Sequence, residues 1–182
     1  MKKLNLRFIV TITLISLFFL NQGCHNQTTK NELENLKTLK ENQNHNKEIA
    51  RMVFASIDKN DFVKLSEILS DDFALSSPGL TQSWKKDDLF NDIKSFYASF
   101  PDWTHNLNDI IAEGDQVVVK LTGKGTHKGE YQSIPPTGKI MTQSAIHILT
   151  FSNGKIKDWW AVEDNLGFMT QLGMELKPIN KK

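Results

Sequence analysis

Residues 154–173, GKIKDWWAVEDNLGFMTQLG, decide how the 182-residue chain is read. The stretch opens on a turn glycine, passes through a strand with two adjacent tryptophans, and reaches the carboxylate pair Glu163 and Asp164. Residues 166–172 then read as a short helix closed by Gly173. Just upstream, residues 140–151, IMTQSAIHILTF, form a long run of β-branched and apolar residues, a strand signature. Asn153-Gly154 between the two runs predicts a hairpin with a two-residue type I′ turn.

Such a turn makes Ser152 and Lys155 the closing pair. Pairing then steps outward as Phe151 with Ile156, Leu149 with Asp158, His147 with Trp160, Ala145 with Val162 and Gln143 with Asp164. Side chains alternate along a strand, so this register puts His147, Gln143, Trp160, Val162 and Asp164 on one face. Trp159 and Ala161 fall on the other. The first face is expected to line a pocket.

Working outward, apolar residues at helical spacing predict helices over 47–59, 62–69 and 85–100. Strands are expected over 73–76, 105–112 and 116–127, with turns at Pro78-Gly79 and Gly114-Asp115. Helices first and strands after predict an α+β domain, its N-terminal helices packed on one face of a bent antiparallel sheet.

The chain begins with a different kind of segment. Lys2, Lys3 and Arg7 precede an apolar run, residues 8–20, too short to span a bilayer but suited to an export signal. Cys24, the only cysteine, follows Gly23 directly after it. This predicts a lipoprotein-type leader over 1–23, acylation of Cys24 and a membrane-anchored protein of the cell envelope, with plain secretion as the alternative. Asn21 stands where such signals usually carry an aliphatic residue. Residues 24–46 are polar and read as a flexible tether, although Leu33, Leu36 and Leu39 have helical spacing. The domain is placed at 47–176, and 177–182 is a tail. Removing Lys2, Lys3 and Arg7 leaves 19 basic side chains against 21 acidic ones. That balance offers no basic face for nucleic acid.

Several chemistries lack their motifs. There is no nucleophile elbow, no P-loop and no dinucleotide fingerprint. His105, His127 and His147 have none of the short spacings of a local metal clip, so no metal and no cofactor are expected. Asp164 ends an apolar strand face, where poor solvation raises a carboxyl pKa and suits it to proton transfer. It is equally well placed to cap the following helix. His147 sits among apolar neighbours, either to hydrogen-bond a substrate carbonyl or as a core histidine satisfied by backbone. His105 and His127 read as rim residues. Four tryptophans suit flat apolar ligands as well as core filling. Trp103 and Trp160 are the expected pocket walls.

With FPDWTHNLNDIIAEGDQVVVKLTGKGTHKG at 100–129 and IPPTGK at 134–139, the chain resembles the SnoaL-like polyketide cyclase and ester cyclase family. These are small domains of the cone-shaped nuclear-transport-factor-2-like fold. The resemblance implies a pocket at the open end of the cone. It makes Asp164, in Asp164-Asn165-Leu166-Gly167, the general acid/base. It implies cofactor-free proton transfer on a small apolar carbonyl compound, with His147 and Gln143 holding the oxygen. Binding of a small apolar or aromatic molecule without turnover is the alternative, and the open sheet face suits a homodimer.

Overall fold

The computed structural model describes residues 6–175 and residue 177, with backbone alone for residues 6–26 and 28. The chain divides into two units, Met1–Asn42 and Gln43–Lys182. Helix α1 is assigned from Leu6 to Asp58. In the first unit the stretch expected as a tether is helical, and Leu33, Leu36 and Leu39 are exposed. The expected leader and its Cys24 fall outside the described side chains. Among the described residues no helix is long and apolar enough to cross a membrane.

The second unit starts inside α1, where Ile49, Ala50, Val53, Phe54 and Ile57 form its buried stripe. Asn60 adopts a positive φ of 53° and ends the helix. Asp61 then caps α2 (Phe62–Ile68), its carboxylate accepting from the Lys64 N–H at 2.9 Å. Strand β1 (Leu69–Ser76) and helix α3 (Lys86–Ser99) follow. Asp88 accepts from the Lys85 N–H at the start of α3. Four strands complete the sheet: β2 (Thr104–Glu113), β3 (Gln116–Thr126), β4 (Ile140–Ser152) and β5 (Lys155–Glu163). Helix α4 (Asn165–Gln171) closes the unit.

The sheet order is β1-β5-β4-β3-β2. Four strands are antiparallel, as expected, but β1 lies parallel to β5. Parallel neighbours need a long crossover, and the whole stretch between β1 and β5 supplies it. The buried sheet face carries Val117, Val119, Leu149, Ile156 and Trp159 in one core cluster with the helix residues Phe54, Leu65 and Ile93.

The hairpin forms as read for its first two pairs. Asn153 and Gly154 have φ of 51° and 73°, as a type I′ turn requires, and Ser152 pairs Lys155 and Phe151 pairs Ile156. Then Lys157 bulges out. Thr150 faces Asp158, Leu149 faces Trp159, Ile148 faces Trp160, His147 faces Ala161 and Ala145 faces Glu163. The register expected from strict alternation is therefore corrected by one residue, and that flips every later side chain to the other face. Trp159 and Ala161 are buried, whereas Trp160 and Val162 stand on the outer face, 38% and 37% exposed. β1 breaks its pairing at the same place, between Leu69 and Ala74.

Candidate functional site

A cavity of about 720 Å³ lies between the helices and the inner sheet face. Phe54, Phe96, Trp103, Trp159 and Phe168 are among its walls. Trp103 owes its place to two glycines in β3. A Cβ on Gly123 would sit 2.2 Å from the Trp103 Cζ2, so only glycine lets the indole lie against the strand. Phe168 of α4 packs on Trp103 with ring centroids 5.8 Å apart. Gln171 fixes α4 to β4, its side chain accepting from the Thr142 N–H at 2.9 Å and donating to the Thr142 carbonyl at 2.8 Å.

Two histidines line the cavity, and each has one nitrogen committed. His147 is 7% exposed. The Trp159 Nε1–H donates to its Nδ1 at 2.8 Å. Indole is a donor only, so Nδ1 carries the lone pair and Nε2 carries the hydrogen. Burial, and to a lesser degree the nearby His105, lowers the His147 pKa to about 3, which keeps the ring neutral. No described hydrogen bond uses Nε2, so its N–H is free for a molecule in the cavity.

His105 has the opposite arrangement. Its Nδ1 lies 2.6 Å from Asp58 Oδ1, at the C-terminal end of α1. The His105 backbone N–H donates to Asp58 Oδ2 at 3.2 Å, and the Tyr97 hydroxyl donates to Asp58 Oδ1 at 3.1 Å. Burial first, then the Asp58 charge and hydrogen bond, push the Tyr97 pKa well up, so the phenol keeps its proton. With Nδ1–H held by a carboxylate, a neutral His105 presents the Nε2 lone pair. Phe54 touches both histidines, its centroid 5.5 Å from His105 and 5.3 Å from His147.

A second group of polar residues faces the same space. Glu163 and Asp92 line the cavity together with Tyr131. Both carboxylates keep accessible surface. Surrounding protein raises the Glu163 carboxyl pKa, Asp92 adds to the rise, and His105 pulls it back. Burial likewise raises the Asp92 carboxyl. Tyr131 is raised by burial, then by Asp92 and Glu163. Gln143 leans towards Glu163 at 3.4 Å and donates to Asn165 Oδ1 at 2.9 Å.

Of the residues singled out in the sequence, His147, Gln143 and Trp103 line the cavity, and Trp160, Val162 and Asp164 do not. Asp164 is exposed and caps α4, its Oδ1 accepting from the Gly167 N–H at 2.8 Å. The bulge puts its neighbour Glu163 on the cavity side instead. His105 is a half-buried wall residue rather than a rim residue. His127 is fully buried, stacked on Phe100 at 5.1 Å. Asp58, Asp92 and Trp159 were not read as site residues. Asp92 carried a signal: it falls three after Leu89 and directly before Ile93, on the border of the apolar stripe of α3.

The helices over one face of a five-stranded sheet, with a cavity between, define the nuclear-transport-factor-2-like class of α+β cones. Within that class the chain belongs to the SnoaL-like polyketide cyclase family, whose model matches residues 47–172. Among solved structures it is similar to AclR, a candidate hydroxylase from Streptomyces galilaeus, at 23% identity, TM-score 0.68, over 75% of this chain and 87% of that one. It is also similar to IdmH, a candidate polyketide cyclase from Streptomyces antibioticus, at 23% identity, TM-score 0.66, over 71% and 99% of the two chains. A SnoaL-like candidate cyclase from Jannaschia matches at 18% identity and TM-score 0.67, over 74% and 95%. Likeness at these identities speaks for the fold alone. No curated protein matches the chain.

Proposed function

We propose that the cavity carries out cofactor-free proton transfer on a small, largely apolar carbonyl compound. His105 Nε2 takes a proton from the carbon next to the carbonyl. The C–H electron pair becomes the enolate, and the imidazolium formed on His105 is stabilised by the Asp58 carboxylate. His147 Nε2–H hydrogen-bonds the oxygen as its charge grows. The proton then returns from His105 to the enolate or to a new acceptor carbon. Asp164 has no part in this reading because its carboxylate is committed to capping α4.

What carries the reading is one complementary arrangement. Two histidines beside a single phenylalanine are locked in opposite roles, one with a free lone pair and one with a free N–H. A base held by a third group, facing a donor for the oxygen, is what enolisation needs. The test uses β-hydroxypropiophenone in deuterium oxide. The protein should exchange the hydrogens next to the carbonyl, and His105→Gln should slow this by on the order of 10² to 10⁴. Binding without any exchange would instead leave the cavity as a ligand-holding site.

Export and anchoring form a separate part of the proposal, supported by the leader pattern and Cys24. Fatty-acid label should enter the protein and disappear in Cys24→Ser; labelling of that variant would end the idea. The outer-face residues Ile146, Trp160 and Val162 support a homodimer. Sedimentation of the residues 43–182 unit as a monomer at high concentration would count against it.

A further inference from the structure

The cavity is acidic without a basic counterpart. Asp92 from α3, Glu130 from the β3–β4 loop and Glu163 from β5 all line it, and among the described residues no lysine or arginine does. Neither Asp92 nor Glu163 takes part in any ion pair among the described residues, although surface carboxylates such as Asp71, Asp102 and Asp109 do. Asp92 raises the Glu163 carboxyl further and His105 lowers it, so these charges are felt across the same corner. Aromatic rings border this corner. Tyr131 packs edge-on against Phe96 at 6.0 Å and Phe168 at 5.7 Å. Two carboxylates without a basic partner, set beside aromatic faces, attract a cation and repel an anion.

An acidic corner alone could hold only shared protons. The second observation is His147, nine-tenths buried, whose Nε2–H has no protein partner and opens on the same cavity. A donor without a protein partner on the cavity wall calls for an acceptor oxygen on the ligand. The ligand therefore has two polar ends and an aromatic or apolar body between them.

We propose that the cavity takes a carbonyl compound bearing a protonated amine, with the amine at Asp92 and Glu163 and the carbonyl oxygen on His147. This rests on the proton-transfer reading and names its substrate class. Carboxylated and phosphorylated compounds are excluded by the same corner. Binding of the ammonium group favours the ionised carboxyls, so association releases protons and tightens as pH rises until both acids are ionised. The other titratable groups lining the cavity are Tyr131 and Glu130 from the loop, Tyr97 from α3, His105 from β2 and His147 from β4, with Asp58 of α1 bonded to Tyr97 and His105.

Three matched aryl ketones test it by calorimetric titration near neutral pH: β-aminopropiophenone, β-hydroxypropiophenone and β-benzoylpropionate. The amine should bind about tenfold or more tightly than the alcohol, as a charge-assisted contact allows, and the carboxylate most weakly. Asp92→Asn and Glu163→Gln should each remove most of the amine's advantage and leave the alcohol's affinity unchanged or improved. Two variants guard against one that fails to fold. If the alcohol binds as well as the amine, the amine proposal is overturned, while hydrogen exchange on the alcohol still reports on the base chemistry. If the amine binds best but no ketone exchanges, the proton-transfer reading falls and the ligand class stands. If none of the three binds, both fall.

Discussion

Trp159 Nε1 lies 2.8 Å from Nδ1 of His147, and this one bond decides which nitrogen of the histidine carries hydrogen. The bond exists because Lys157 bulges out of β5. Without the bulge Trp160 would point inward and Trp159 outward, and this bond could not form. A backbone irregularity six residues before Glu163 is thus felt as a choice of tautomer in the cavity.

Burial of a neutral His147 should show in the acid stability of the fold. Its folded pKa, about 3, lies below its unfolded value of 6.5. The unfolded chain therefore binds more protons between these values, and this contribution to stability is lost as pH falls through that window. Asp92 and Glu163 act in the opposite sense, because their raised carboxyls favour the folded state on acidification. The difference between wild type and His147→Phe isolates the histidine. Urea midpoints should fall more steeply with acid in wild type; parallel curves would mean that His147 titrates normally.

Asp164 separates a cap from a catalyst. Asn caps as well as Asp, so Asp164→Asn should leave both melting temperature and exchange rate nearly unchanged. Asp164→Ala should cost about 1 kcal/mol through loss of the bond to the Gly167 N–H. A large loss of rate in the folded Asn variant would restore Asp164 to the chemistry.

Gly123→Ala tests how Trp103 is seated. The added methyl overlaps the indole, which would have to leave β3 and narrow the cavity. A destabilisation of about 1–3 kcal/mol is expected, with a change in tryptophan emission. A variant as stable as wild type, with the same emission, would show that the ring is not pinned there.

The fold was legible because its signals are local. Asn153-Gly154 set the turn type and the first two pairs, and the apolar stripes of α1 to α3 marked their buried faces. What could not be read depends on distant partners. The bulge at Lys157 carries no glycine or proline, and it sits where β5 meets β1, more than 80 residues earlier in the chain. Strict alternation therefore placed Trp160, Val162 and Asp164 where Trp159, Ala161 and Glu163 lie. His105 looked like a rim residue because its partner, Asp58, is 47 positions away at the end of α1. His147, Gln143 and Trp103 were legible as cavity residues because they lie outside β5, and β4 runs in unbroken register against β3.

Stabilisation of the carbonyl oxygen depends on His147 offering Nε2–H to the cavity, and nitrogen-15 spectra of histidine-labelled protein read this directly. Between about pH 5 and 8, where an ordinary histidine titrates, His147 should stay neutral with hydrogen on Nε2 and a bare, hydrogen-bonded Nδ1. Trp159→Phe should release the tautomer while the ring stays buried. β-Hydroxypropiophenone should shift the Nε2–H resonance of the wild-type protein. A ring that titrates near its ordinary pKa, or that carries its hydrogen on Nδ1, would contradict the proposed chemistry at its centre.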